Sequence, residues 1–400
     1  MENPWILTGW WMNSCKKHIV SDLSGYTFYH WGKSMSRFKE NHKIYLLVLL
    51  IMIPVLTAGC KRGPDSSPGS MPEQTAPHRP VVGAFYVNGR GAGASYGSFY
   101  HNRDLISEVS PLWYYVREDG SLQEEIDHEA LELARDSGVN VIPLVAFPSN
   151  RSSTVLTEAA PGEAAIASIT RAVEENSYGG INIDFELVKT PGRDYQAERE
   201  GLTRFAEGLS EKMAASGKRL DICVLPPVQL PVNLAEIYDL AALSGLADRL
   251  VLMAYDYSHD GTKAGPVAPL PWVEANIKAA LLLGVPTEKI SLGIASYGYD
   301  WLSGGTRANV VTARDVMQKT GQDGFTVGWD EPSQTPFVKY RNSQGGDREI
   351  WFENSASAAH KIALINRYRL AGFYLWRLGY EDTQFWQKTC QGDGSLDTLF

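Results

Sequence analysis

The sequence predicts an α/β protein built as a (β/α)8, TIM-type barrel, with a small β-hairpin inserted between the seventh and eighth strands. Three observations carry this expectation. From Val81 onward, short apolar runs alternate with helical patterns, which is the signature of parallel βαβ units. The runs number eight, and the stretch from Val81 to Phe400 can hold a barrel of about 250 residues with insertions. No Gly-rich phosphate fingerprint follows the first run, which weakens the main rival, a doubly wound open sheet.

Taken in order, the expected strands are Val81–Val87, Leu112–Val116, Val139–Phe147, Gly180–Glu186, Leu220–Leu225, Leu250–Tyr255, Ile290–Tyr297 and Gly372–Trp376. Helical stretches fall between most of them, at Glu124–Ser137, Glu163–Glu175, Tyr195–Ser216, Leu234–Leu243 and Trp272–Leu283. The alternation breaks once. Thr326 to Glu353 carries β-type runs around the Gly345-Gly346 turn signal and reads as the hairpin insertion.

The N-terminal part is of a different kind. Ile44 to Leu56 is an unbroken apolar run preceded by Arg37, Lys39 and Lys43. It is short for a membrane span, which takes about 20 residues, and fits a signal-peptide core. Leu56-Thr57-Ala58-Gly59-Cys60 follows. Small residues ending in Cys resemble a bacterial lipobox, so Cys60 is the expected lipidation site and membrane anchor. The expected organisation is an upstream extension at 1–34, with translation starting at Met35, then a lipoprotein signal at 35–59. A flexible Pro/Ser/Gly-rich tether at 60–80 leads to the folded barrel at 81–400. The expected location is extracytoplasmic, at the membrane.

Bulk composition narrows the function classes. A formal net charge of −9 disfavours a nucleic-acid partner. The four cysteines, Cys15, Cys60, Cys223 and Cys390, are too widely spaced for a metal site or disulfide framework. No metal, nucleotide or haem signature is visible, so no cofactor is expected. Eleven Trp and nineteen Tyr suit stacking on sugar rings and are equally ordinary core material.

Chemistry enters at Gly180-Ile181-Asn182-Ile183-Asp184-Phe185-Glu186. Side chains alternate across a strand, so Asn182, Asp184 and Glu186 share one face. Two carboxylates on one strand face push their pKa values apart, which allows one of them to act as an acid at neutral pH. In a barrel, catalytic groups sit at the C-terminal strand ends. Glu186, Tyr255 with Asp256, Tyr297 and Trp376 end four of the expected strands.

This constellation resembles glycoside hydrolase family 18, the chitinase-like enzymes. Gly179 to Glu186 matches that family's Asp-Gly-x-Asp-x-Asp-x-Glu signature, with Gly179 and Asn182 standing where the family has Asp. Met253-Ala254-Tyr255-Asp256 matches its Met-x-Tyr-Asp motif. Ser296 to Trp301, Ile350 to Glu353 and Trp376 to Asp382 are similar to a branch that includes spore germination and cortex-lytic N-acetylglucosaminidases. The resemblance implies an enzyme cleaving β-linked N-acetylglucosamine in peptidoglycan, spore cortex or chitin by substrate assistance, the route noted as this family's exception. It implies Glu186 as acid/base, Asp184 as stabiliser of the intermediate and Tyr255 as holder of the acetamido carbonyl. Asn182, Met253, Asp256, Tyr297, Trp376 and Tyr86 are the substrate-binding candidates. Asn182 is expected to hydrogen-bond Asp184. A non-cutting glycan-binding lectin and a spore germination factor are the alternative readings.

Overall fold

The computed structural model describes residues 79–91, 93–147, 154–186, 195–228, 237–322 and 324–390. The expected extension, signal, Cys60 and nearly all of the tether lie outside the described residues, as does the start of the helix expected at Leu234.

Eight parallel strand positions close into a barrel. They are β1 (Val81–Tyr86), β2 (Glu108–Val116), a split third strand, β6 (Gly180–Asp184), β7 (Arg219–Val224), β8 (Arg249–Leu252), β9 (Ile290–Ala295) and β15 (Gly372–Trp376). The third strand comprises β4 (Asn140–Val141) and β5 (Leu144–Ala146), with Pro143 in the gap. Proline has no N–H to give a ladder, but the Pro143 carbonyl still accepts from the Asn182 amide at 2.8 Å. Closure comes from β1, which pairs with both β15 and β2. A short β3 (Leu122–Glu124) runs antiparallel beside β2.

The helices cover the outside of the barrel with apolar stripes. In Tyr195–Ala215 the buried face includes Leu202, Phe205, Ala206, Leu209 and Met213, the spacing that one side of an α-helix requires. Asp127 caps the helix His128–Asp136, and Asn354 forms a capping box on Ser355–Tyr368, satisfying N–H groups that no helical carbonyl can reach.

The barrel interior is apolar at mid-height, with Phe85, Leu112, Leu144, Cys223, Val251, Met253 and Tyr374 in one cluster. Its N-terminal end is closed by charge. Glu108 accepts from Arg219 and, at 3.0 Å, from Arg249. Arg219 also pairs with fully buried Asp221 at 2.9 Å. Tyr374 donates to Glu108 at 2.6 Å. Four strands thus contribute to one plug, in which each buried charge has a partner.

The insertion is larger than the expected hairpin. It is a five-stranded antiparallel sheet of β10 (Tyr297–Leu302), β11 (Ala308–Thr312), β12 (Val327–Asp330), β13 (Thr335–Arg341) and β14 (Asp347–Phe352). The β13–β14 hairpin forms at Gly345, whose φ of +81° is a left-handed value that favours glycine. A lone hairpin is marginal in water, and here β10 extends it into a sheet. The seventh barrel strand ends at Ala295, so Tyr297 opens the insertion and does not close that strand. Ser296 marks the break, its backbone N–H and hydroxyl donating to the Trp376 carbonyl at 2.9 and 3.1 Å.

Candidate active site

The C-terminal ends of the barrel strands converge on one mouth, and β6 supplies its acids. Ile181, Ile183 and Phe185 face outward into the core beneath the helices, so the alternation turns Asn182 and Asp184 inward. Phe185 is clamped by Phe147, stacked at 3.7 Å between ring centroids, and its carbonyl accepts from Tyr238 at 3.0 Å. That grip fixes the backbone between Asp184 and Glu186.

Asp184 ends the strand half-buried, and its Oδ1 is buried without a hydrogen-bond partner among the described residues. Glu186 stands two residues further on and reaches solvent at the mouth. Both carboxyls are held above the usual carboxylate range. Desolvation is the cause at Asp184. At Glu186 desolvation comes first, followed by repulsion from Asp184 and Asp256. Glu186 is itself exposed, and the neighbouring Asp184 and Asp256 carboxyls oppose its ionisation.

Asn182 is placed differently from expectation. It is fully buried below the mouth. Its Nδ2 donates to Ser110 Oγ at 3.2 Å, and its Oδ1 accepts from Cys223 Sγ at 3.4 Å. The amide is satisfied by β2 and β7, so it neither bonds Asp184 nor presents itself to a ligand. Gly179 is also explained by packing. A Cβ there would lie 1.9 Å from Oδ1 of Asn140, so a side chain at 179 requires this exposed amide to turn aside.

The loop after β8 brings Tyr255 and Asp256 to the mouth. Asp256 adopts φ +62°, a left-handed conformation uncommon outside glycine. Its Oδ1 accepts from Tyr297 at 2.6 Å and from Tyr299 at 2.8 Å. Burial raises the Asp256 pKa, and the two hydroxyls oppose that rise. Tyr255 packs edge-on against Tyr297, and its own ionisation is strongly suppressed, first by burial. Gly293 gives its ring room, since a Cβ there would lie 2.9 Å from it. Trp376, half-buried at the end of β15, lies edge-on to Phe85 with centroids 5.2 Å apart.

Three further candidates do not reach the cleft surface. Tyr297 is buried and acts through Asp256. Met253 is buried in the barrel interior beside Cys223. Tyr86 is fully buried and donates to Asp127, which also pairs with Arg90. Each ends or follows a strand, but its side chain turns into packing. Sequence reasoning missed Tyr299 and Tyr238. Tyr299 was readable two residues after Tyr297, on the same strand face. Tyr238 carried no local signal, because its partner Phe185 lies 53 residues away.

The model of glycosyl hydrolases family 18 matches residues 129–381. The protein YdhD of Bacillus subtilis (strain 168), whose name describes a sporulation-specific glycosylase, is 27% identical over 296 residues, covering 69% of this chain and 68% of its own. A cortical fragment-lytic enzyme of the same organism is 26% identical over 247 residues, covering 60% of this chain and 56% of its own. A chitinase from Chromobacterium violaceum superposes with a TM-score of 0.71 at 26% identity, over 78% of this chain and 98% of that one.

Proposed function

The chain belongs to glycosyl hydrolases family 18, and from that we propose that it cleaves β-linked N-acetylglucosamine in a cell-wall polymer by substrate-assisted, retaining catalysis. Peptidoglycan or spore cortex is favoured over chitin because two relatives carry sporulation and cortex names.

One observation carries the mechanism. The two acids stand two residues apart at one strand end, Asp184 with a buried oxygen that has no partner among the described residues and Glu186 accessible beyond it. An ordinary retaining pair flanks the bond from opposite faces of the sugar. Residues two apart in an extended chain are separated by about 6.6 Å, so two acids leaving one strand end approach from the same side. The nucleophile is then the substrate's own 2-acetamido oxygen. It attacks C1 while Glu186 donates its proton to the glycosidic oxygen, and the C1–O bond breaks with that oxygen leaving as an alcohol. Asp184 accepts the acetamido N–H and balances the positive oxazolinium. Glu186, now a carboxylate, takes a proton from the water that opens the ring, restoring the acid and retaining the anomeric configuration. Tyr255 orients the acetamido carbonyl, Asp256 borders the same mouth, and Trp376 lies beneath the sugar.

Glu186→Gln should abolish turnover of a chromogenic N-acetylglucosaminide and of purified peptidoglycan while keeping ligand binding. Turnover at the wild-type rate would sink the assignment. Mass spectrometry of products from spore cortex, vegetative wall and chitin distinguishes the polymers. We propose further that a lipid on Cys60 tethers the barrel to a membrane. Loss of labelled palmitate incorporation in Cys60→Ala tests this, and unchanged incorporation refutes it.

A further inference from the structure

The turn after the last barrel strand carries a cation to which the mechanism gives no task. Arg377 comes directly after Trp376, at the mouth end of β15. Its half-buried guanidinium lies over the ring of Tyr380, 3.8 Å from the centroid. Tyr380 packs on the same aromatic cluster as Tyr255 and Trp376, so the cation stands at the rim of the mouth. Arg377 Nη1 donates to Ser95 Oγ at 3.1 Å and to the Leu378 carbonyl at 3.3 Å. Ser95 is fully buried; its Oγ donates to the same carbonyl at 2.9 Å and accepts from the Val87 amide at 3.1 Å. The turn packs closely on the loop after β1. Gly379 permits this, with φ +90° and a Cβ position 2.6 Å from the Gly93 and Ala94 carbonyl oxygens.

The guanidinium is pinned through Nη1 and covered on one face, and its other edge is open. Nε and Nη2 have no hydrogen-bond partner among the described residues, yet neither nitrogen is buried. No carboxylate among the described residues pairs with Arg377. The acids nearest in the chain are engaged elsewhere. Glu381 accepts from Ser98, from Trp386 at 2.9 Å and from the Gly379 amide at 2.6 Å. Asp382 accepts from the Ser355 amide at 2.6 Å. An arginine fork with one free edge matches a carboxylate, which accepts two parallel N–H···O bonds. Because the side chain is already ordered, little rotamer freedom is lost when an anion binds.

We propose that the open Nε/Nη2 edge of Arg377 receives a carboxylate of the substituent that peptidoglycan carries and chitin lacks, making Arg377 a specificity-determining residue. This rests on the glycosidase reading. Chitin is a neutral polymer of N-acetylglucosamine. In peptidoglycan every second sugar is a muramic unit, whose lactyl ether at O3 ends in a carboxylate or in a peptide that bears carboxylates. A muramic unit adjoining the N-acetylglucosamine over Trp376 carries that substituent at the rim, where Arg377 stands. The acids Asp184, Glu186 and Asp256 gather at the same mouth, so a fixed cation decides where an anionic substituent settles.

The test is a calorimetric titration of the full chain carrying Glu186→Gln, alone and combined with Arg377→Gln or Arg377→Lys. Two probes are charged: the alternating N-acetylglucosamine and N-acetylmuramic acid tetramer with free lactyl carboxylates, and the same glycan with L-Ala-D-Glu on each lactyl group. Two are neutral: the lactyl methyl amide of that glycan and the β-1,4-linked tetramer of N-acetylglucosamine. A charged probe should bind the parent about tenfold more tightly than the methyl amide, the scale of one charge-assisted contact. Preference for the free lactyl glycan places the carboxylate on the sugar, and preference for the dipeptide glycan alone places it on the peptide. Arg377→Gln should abolish the preference and leave affinity for the N-acetylglucosamine tetramer nearly unchanged. Arg377→Lys should keep only part of it, because an ammonium has no fork. No preference of the parent for either charged probe, a preference that survives Arg377→Gln, or an equal loss on the N-acetylglucosamine tetramer overturns the proposal. If Arg377→Gln does not fold, the parent's comparison of charged and amidated probes and the Arg377→Lys protein still decide. Turnover of a chromogenic N-acetylglucosaminide by the wild-type chain tests the glycosidase reading separately, because that substrate has no carboxylate.

Discussion

In the proposed mechanism Glu186 carries a proton to begin the reaction, and its surroundings keep it protonated beyond the usual carboxylate range. The rate should therefore fall as pH rises through that elevated pKa. Asp184→Asn removes one of the two charges that repel the Glu186 carboxylate. Its pH–rate profile should lose rate overall and shift its basic limb to lower pH. An unmoved limb would mean that the two acids do not communicate. The same shift bears on stability. Between the unfolded and the raised folded pKa, the folded state binds more protons than the unfolded one, so stability falls as pH rises through that window. Glu186→Gln should raise Tm at pH 7.5 and leave it unchanged near pH 3.5, by a modest amount because the group reaches solvent. At this scale the sequence showed which residues face inward but not what they meet. Asn182 takes its partners from Ser110 and Cys223, on strands 72 and 41 residues distant.

The insertion sheet and the loop after β8 act together, because Asp256 accepts hydrogen bonds from two hydroxyls of β10. Removing both hydroxyls with Tyr297→Phe and Tyr299→Phe leaves a buried carboxylate oxygen without donors. A cost of about 1–3 kcal/mol in stability is expected, together with a reduced kcat/KM. A double-mutant cycle of denaturant midpoints and rates measures both. The insertion was legible only in part. The Gly345 turn gave away its hairpin, while of β10 only Tyr297 was read, as the last residue of the seventh strand. The barrel strand ends where the chain from Tyr297 leaves β15 and pairs with β11 and β14 instead, partners that the insertion supplies.

The whole molecule separates function from stability between its two ends. The catalytic candidates gather at the C-terminal mouth, and the buried ions of Glu108, Arg219, Asp221 and Arg249 close the other end. Arg219→Met strips Glu108 and Asp221 of a shared partner. It should cost about 3–5 kcal/mol in urea unfolding while leaving KM on a small chromogenic substrate unchanged. The Glu108 pKa is lowered: burial raises it, and the arginines and Tyr374 together outweigh that. Its share of stability is present above the unfolded pKa and is lost as pH falls through the folded one. Acid should therefore weaken the wild type more than an Arg219→Met protein, in which that advantage is already gone.

Sequence alone determined the barrel and which acids stand at the end of its fourth strand. The periods of strand and helix and the inward parity of Asn182 and Asp184 are local properties, written within a few consecutive residues. Tertiary structure decided which tips reach the cleft. Tyr86, Tyr297 and Met253 sit at or just past strand ends as Trp376 does, yet they turn into packing because of neighbours contributed by other strands and by the insertion. It also decided that Asp184 Oδ1 is left without a partner among the described residues while Asn182 is fully engaged. Satisfaction of a buried polar group depends on atoms brought together by closure of the barrel, and no window of sequence contains them.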